Sequence, residues 1–343
     1  MNPTRKPSTK MIRKDILNKG KEWSFMKIIF MGTPEIAVPA LETLIASDHD
    51  VIAVITQPDQ KSGRGMSLRL SPVKETALKY DIPVYQPEKI SDSSFLDMLE
   101  SLGADIFAVA AYAQKIPDRL LAMAPYGCIN LHPSLLPKYR GSGPLRGPIL
   151  NGDEVSGVTI MKLVTEWDAG DILLQRSFPL DPEETSETLE EKCSQLGAQM
   201  MLEVINGLEK GSITPIAQDH SQATYLKQIT KEAGSVDFHD SAVQIERQVR
   251  ACIPWPSAYT QLGGKTFKIW KAKACPDLPE GVSLPEGAKP GSVVYADRNQ
   301  FLLLTGEGYL KPLVVQLEGK KKMPVEEFLR GRKIMQGEQL GIE

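Results

Sequence analysis

The chain has 343 residues, 41% of them apolar and 24% charged, with a net charge of −3. At about 150 residues per domain, two domains are expected, and this composition supports a buried core and excludes a chain disordered throughout. The longest apolar run, Ile106 to Ala113, falls short of the roughly 20 residues of a membrane span; no signal-peptide core follows the N-terminus, and the charge excludes a uniformly basic nucleic-acid coat but not a local basic face.

Residues 1–25 carry seven Lys/Arg against two Asp/Glu and little apolar pattern. They read as a disordered basic extension, left by an early start codon or a loose tail; an RNA-contacting arm is the sharper alternative. Asp15 and Glu22 weigh against a mitochondrial presequence. From Met26 onward, strand-like runs alternate with helical spacing. Lys27–Met31 reads as a strand, Ile36 to Ile45 as helix-spaced, Val51–Thr56 as a second strand and Pro72–Tyr80 as a helix. Ile106–Ala111 is continuously apolar, as a central parallel strand is. Cys128–Leu131 and Val158–Lys162 add strands, and Leu189–Ile205 is a long helix. This alternation predicts an α/β, Rossmann-like domain, a parallel sheet with helices on both faces.

After about Gly207 the pattern changes. An amphipathic stretch, Ser241–Cys252, precedes short strand-like pieces at Ala258–Leu262, Thr266–Lys273, Ser292–Tyr295, Phe301–Thr305 and Leu313–Leu317. Short strands separated by turns predict a small, OB-like β-barrel. The expected division is a catalytic domain over 26–210, a linker over 211–228 and a C-terminal domain over 229–343. Residues 211–343 hold 17 Lys+Arg against 15 Asp+Glu; the rest of the chain holds 23 against 28. The second domain is therefore slightly basic and the first acidic.

Several chemistries are not supported. The turn after the first strand is Gly32-Thr33-Pro34-Glu35 rather than GxGxxG, and Glu35 would repel a pyrophosphate. The serine-hydrolase elbow and the phosphate loop are also missing. Cys128, Cys193, Cys252 and Cys275 have neither zinc-ligand spacing nor a disulfide pattern, so reduced thiols and no metal are expected. His49, His220 and His239 lack a partner pattern and read as surface residues.

The informative string runs from Asn130 to Gly141, NLHPSLLPKYRG. Asn130 and His132 are two residues apart at a strand end and so share one face. Open α/β sheets bind ligands beyond such ends, and an amide with an imidazole can hold an oxygen that becomes negative in a tetrahedral intermediate. Either residue alone is more simply a loop cap; the whole string is not. Trp167-Asp168-Ala169-Gly170-Asp171 follows. Alone it reads as a turn, but Asp168 can pair with His132 and hold its imidazolium or relay a proton.

These residues resemble the 10-formyltetrahydrofolate-dependent formyltransferase superfamily. Its pattern is an Asn-x-His pair, then SLLPxxxG, then Asp in a DxGD loop. Here these are Asn130-Leu131-His132, Ser134-Leu135-Leu136-Pro137 with Gly141, and Asp168-Ala169-Gly170-Asp171; Pro133 is a minor departure. The resemblance covers nearly all of Met26–Lys333. Within the superfamily it points to the tRNA formyltransferases. Thr56-Gln57-Pro58-Asp59 leading into Gly63-Arg64-Gly65 resembles their acceptor-end loop, and Ser71-Pro72-Val73-Lys74 follows it. Ala223-Thr224-Tyr225, Pro254 to Tyr259 and Lys320-Lys321-Lys322-Met323 resemble their linker, C-terminal opening and basic late loop.

The resemblance implies transfer of a formyl group from 10-formyltetrahydrofolate, as cosubstrate, to the α-amino group of methionine on initiator methionyl-tRNA. It implies no metal, and a cytoplasmic monomer. Asn130, His132 and Asp168 would be catalytic. Tyr112 with Ser134, Leu135, Leu136 and Pro137 would wall the pterin, and Arg64 with Lys320, Lys321 and Lys322 would contact tRNA. The rivals are formyltransferases acting on glycinamide ribonucleotide or an amino sugar, and a catalytically silent RNA-binding relative. The C-terminal domain and the Gln57–Gly65 loop argue against the first. The loop and the lysines argue against the second. The intact catalytic set argues against the third.

Overall fold

The computed structural model describes residues 25–62 and 67–341. The expected basic extension, up to residue 24, and Arg64 lie outside these residues. In the first half, β1 (Lys27–Gly32), α1 (Val38–Ala46), β2 (Asp50–Ile55), a hairpin of β3 (Gln60–Ser62) and β4 (Ser67–Arg69), α2 (Pro72–Lys79), β5 (Val84–Tyr85), α3 (Ser93–Ser101), β6 (Ile106–Ala110), α4 (Asp118–Leu121), β7 (Cys128–His132), β8 (Arg140–Gly141), α5 (Arg146–Asn151), β9 (Val155–Lys162), β10 (Ile172–Pro179) and α6 (Ser186–Glu209) follow in order. Helix starts carry local signals. Ser71 and Asp92 accept backbone N–H bonds at α2 and α3, and Thr185 with Thr188 forms a capping box at α6.

Seven strands form one sheet in the order β10-β9-β7-β6-β1-β2-β5. The strands from β5 to β7 run parallel, as the alternation predicts. The Val158–Lys162 strand differs. β9 runs antiparallel to β7, and β10 antiparallel to β9. A continuous apolar run marks burial but carries no strand direction, and here no crossover helix of the usual length separates β7 from β9.

Alternate residues of each strand enter two cores. Ile28, Phe30, Ala108, Ile129 and Leu131 pack on one face with α1 and α6. Ile29, Met31, Phe107, Val109 and Cys128 pack on the other with α3 and Leu120 of α4. Period-two alternation therefore turns Asn130 and His132 toward this second face. On that face the helix cover reaches Cys128 at the start of β7, beside Leu120 of α4, while Thr159 of β9 bonds the loop at Ser134 and Leu136.

A third core belongs to residues 236–340. β11 (Tyr225–Leu226) and α7 (Ala242–Ala251) lead to β12 (Ala258–Leu262), β13 (Lys265–Cys275), β14 (Val293–Ala296), β15 (Phe301–Leu304), β16 (Tyr309–Leu317), β17 (Met323–Pro324) and α8 (Val325–Gly331). The strands pair antiparallel in the order β12-β13-β16-β15-β14, with β17 on β16. The chain end fills the seam: Val293 N–H donates to Glu338 O at 2.8 Å and Gly341 N–H to Gln261 O at 3.3 Å. Phe328 of α8 packs on Phe267 with ring centroids 5.5 Å apart. Between the halves, Ser186 Oγ donates to Ala251 O at 2.7 Å, and Lys271 pairs with Glu183 at 2.9 Å.

His49 is not a surface residue. It is buried, its Nδ1 accepting from Met26 N–H at 3.3 Å and its Nε2 lying 3.0 Å from Asn206 Oδ1. Its partner on α6 stands 157 positions away in the chain, beyond any local pattern. No helix among the described residues is long and apolar enough to cross a membrane.

Candidate active site

β7 delivers Asn130 and His132 to the loop-covered part of the sheet. His132 lies opposite Thr159 of β9. The imidazole is almost fully buried, and its Nε2 lies 3.0 Å from Tyr139 O. A carbonyl only accepts, so Nε2 carries a proton. Nδ1 then faces Asp168 Oδ1 at 3.7 Å, an ion-pair separation once the ring is protonated. The other carboxylate oxygen, Asp168 Oδ2, accepts from Gly141 N–H at 2.8 Å. Asn130 is half-buried, and its side-chain amide has no hydrogen-bond partner among the described residues. The structure thus brings His132 and Asp168 together and leaves Asn130 free to bond a ligand.

The loop from Ser134 to Gly141 is held from both sides. Ser134 Oγ donates to Lys138 O at 2.8 Å. Thr159 Oγ1 donates to Ser134 O at 2.7 Å and accepts from Leu136 N–H at 3.2 Å. Gln175 Nε2 donates to Leu136 O at 2.9 Å. On the far side, β11 pairs with β8, Tyr225 opposite Arg140 and Leu226 opposite Gly141. Gly141 has φ +96°, and a Cβ there would lie 2.5 Å from Leu226 O, so glycine is required. Ala111, Tyr139 and Asp168 adopt positive φ of 49°, 63° and 52°. Each costs of order 1–3 kcal/mol and persists only where the surroundings over-determine it.

The residues expected to wall the pterin are spread around this loop. Ser134 and Leu136 are buried, and Leu135 and Pro137 are half-buried. Tyr112 is buried just after β6; its hydroxyl has no partner among the described residues, and burial pushes its pKa up to about 12, so it stays protonated. Leu135 also lines a cavity of about 340 Å³ with Lys138, Tyr139, Pro148 and Asp153 to Ser156. A second cavity of about 260 Å³ lies between α5 and α7. Asn130, His132 and Asp168 line neither.

The described residues among the expected RNA contacts, Lys320, Lys321 and Lys322, lie in the C-terminal half. The root of the β3–β4 hairpin is locked: Lys74 Nζ donates to Asp59 Oδ2 and Gln86 Oε1, each at 2.6 Å. The Lys74 contact, then Gln86, holds the Asp59 carboxyl below its ordinary pKa. Lys320, Lys321 and Lys322 form an exposed turn between β16 and β17. Lys322 Nζ sits 4.5 Å from the Trp270 ring centroid, with Lys268 Nζ at 5.6 Å. Lys271 is occupied by Glu183. Among the described residues, no group of three or more His, Cys, Asp or Glu is placed to hold a metal ion.

Sequence reasoning assigned no role to Arg140, Thr159, Gln218 or Thr224, all of which hold the site. Thr224 Oγ1 accepts from Tyr139 N–H at 2.8 Å, and Arg140 N–H donates to Thr224 O at 2.8 Å. The resemblance marked Ala223-Thr224-Tyr225 as linker; the signal was present, but its partner was not.

The Formyl transferase family matches residues 26–205, and its C-terminal domain family matches residues 228–333. The chain is 45% identical to the methionyl-tRNA formyltransferase of Lachnospira eligens over 316 residues, covering 92% of this chain and 100% of that one. It is 41% identical to that of Alkaliphilus oremlandii, with the same coverage. Among solved structures, the sugar 3N-formyl transferase WlaRD superposes with a TM-score of 0.62 at 21% identity, covering 87% of this chain and 100% of that one. HypX from Aquifex aeolicus, in complex with tetrahydrofolic acid, gives a TM-score of 0.60 at 19% identity, covering 93% and 51%. These two share the fold.

Proposed function

The chain belongs to the methionyl-tRNA formyltransferase family, and we propose that Asn130, His132 and Asp168 carry its transfer step. The reaction moves a formyl group from 10-formyltetrahydrofolate to the α-amino group of methionyl-tRNA. A bond forms between the amine nitrogen and the formyl carbon, and the bond from that carbon to N10 of the folate breaks. One proton leaves the amine and one reaches N10. The formyl oxygen carries negative charge between these events.

The observation that carries the proposal is the joint geometry of the three side chains. Asn130, with a free amide, donates to the developing oxyanion. The Tyr139 carbonyl fixes the proton of His132 on Nε2, so the neutral ring presents a lone pair at Nδ1. Nδ1 takes the amine proton, Asp168 stabilises the imidazolium, and the ring returns the proton to the leaving nitrogen. Asp168 is itself held by Gly141 N–H. Tyr112 and Ser134 to Pro137 form the folate wall in this reading. The Tyr112 hydroxyl, buried without a partner among the described residues, supplies a donor there.

The acceptor end of the tRNA is taken by Arg64, which lies in sequence between β3 and β4, and its body by the Lys320–Lys322 turn. The lysines flanking Trp270 support a surface suited to phosphate and base stacking. Domain limits of 26–210, 211–228 and 229–343 belong to the same proposal, as does a cytoplasmic monomer acting on initiator tRNA. The test supplies formyl donor with initiator methionyl-tRNA, elongator methionyl-tRNA or an amino-sugar nucleotide. Formylation of the initiator species alone is expected. Equal rates on both tRNAs would remove the initiator assignment, and transfer to the sugar would overturn the substrate.

A further inference from the structure

Arg140 is the largest fully buried side chain of the molecule's described part, and it forms no ion pair there. A buried guanidinium without a carboxylate is costly unless its N–H groups are all engaged. Here Nε and Nη2 both donate to Gln218 Oε1, at 3.2 and 2.7 Å. Nη1 donates to the Tyr225 hydroxyl at 3.1 Å, and Nη2 lies 3.1 Å from His220 Nδ1. All three partners come from the segment that joins the two halves of the chain.

Gln218 is the junction. It is 5% exposed. Its oxygen takes the guanidinium fork, which fixes the amide orientation, because only the nitrogen end can then donate. Nε2 donates to Asp168 O at 2.9 Å and to Gly170 O at 2.6 Å. These two carbonyls bracket the turn in which Asp168 holds φ +52°. The carboxylate of Asp168 meets Gly141 N–H, one residue after Arg140. A closed circuit thus runs from the Asp168 carboxylate to Gly141, through the Arg140 side chain to Gln218, and back to the Asp168 backbone.

We propose that Gln218 and Arg140 are positioning residues that hold Asp168 against His132, so that the interdomain segment forms a structural part of the active site. This inference rests on the catalytic reading of Asp168. Gln218 touches no reacting atom. It sets the backbone of a strained turn, and the turn sets the carboxylate. A displacement of a catalytic group by about 1 Å costs of order a hundredfold in rate.

The test uses the full chain and the Gln218→Glu substitution. Glutamate keeps an acceptor for Arg140 and gives it a counter-ion, but offers no N–H to the two carbonyls. The melting temperature is expected to stay near that of the parent. The turnover constant should fall about tenfold to a hundredfold, with KM for both substrates unchanged within about twofold. In an Asp168→Asn background the same substitution should cost less than about twofold, because the group it positions is already disabled. Full turnover in a folded Gln218→Glu protein, or the same fold loss in both backgrounds, would overturn the inference while leaving the catalytic reading intact. Full turnover in Asp168→Asn alone would remove both. Should Gln218→Glu fail to fold, Arg140→Lys puts the same question. It keeps the charge and breaks the fork, and the same split between turnover and KM and the same loss of effect on Asp168→Asn are expected.

Discussion

The two faces of the seven-stranded sheet are covered differently. On one, α1 and α6 lie across the strands, and Ile129 and Leu131 of β7 meet an apolar helix surface. On the other, Leu120 of α4 meets Cys128 at the start of β7, and His132 at its end meets Tyr139 and Asp168 of the loops at 133–141 and 163–171. The same strand therefore stabilises the fold through its odd-numbered residues and, in the proposed mechanism, performs chemistry through Asn130 and His132. Two such roles tolerate substitution in opposite ways. Changes on the helix face should alter stability and spare the rate of the folded enzyme. Changes on the loop face should do the reverse.

The largest effect is expected on the loop face. Asn130→Ala and Asp168→Ala should each lower the turnover constant, the first by about 10²–10³, as for loss of one oxyanion donor. For Asn130→Ala the melting temperature should hardly move, since the Asn130 side chain makes no hydrogen bond among the described residues. Thermal unfolding and single-turnover kinetics on one preparation check both halves of the statement. On the helix face, Leu131→Ala should cost about 2–5 kcal/mol of stability and leave the rate per folded molecule unchanged. A Cβ added to Gly197 of α6 would lie 2.4 Å from Leu131 Cδ1. Gly197→Ala alone should therefore destabilise by about 1–3 kcal/mol through overpacking. The two together should cost less than their sum, because the new methyl enters the space that Leu131 vacates. Urea unfolding of the three variants measures this, and strict additivity would contradict the close packing of α6 on β7.

A smaller effect is expected from Arg64. Arg64→Ala should weaken methionyl-tRNA binding, and Arg64→Lys less so, because a lysine neither forks to phosphate nor stacks as well. The salt slope of binding should fall by about one if the contact is to phosphate. Affinity for a folate analogue should not change. Equal loss of both affinities would place the hairpin in the folate site instead.

Much of the loop face was legible in the sequence because its signals are local. Period two puts Asn130 and His132 on one side wherever the strand lies. The prolines and glycine of residues 133–141 announce an irregular loop, and the central strand at Ile106–Ala110 follows from an unbroken apolar run. What was not legible depends on partners distant in the chain. The reversal of β9 decides that Thr159, rather than another residue, stands opposite His132. The burial of Arg140 depends on Gln218, 78 positions later, and that of His49 on Asn206. The β5 strand, two residues long, and α8, seven residues long, are too short for periodicity to show. The stretch read as one loop at Gln57–Gly65 begins a hairpin, because its second strand lies beyond the glycines.

The central claim is that proton transfer runs through a His132 ring whose tautomer the Tyr139 carbonyl fixes. The most direct measurement is the single-turnover rate of formyl transfer to initiator methionyl-tRNA by His132→Ala, with melting temperature and folate-analogue affinity taken on the same sample. The account predicts a folded protein that binds the analogue normally and transfers at least about a hundredfold more slowly. A folded His132→Ala protein with a near-normal rate would contradict it.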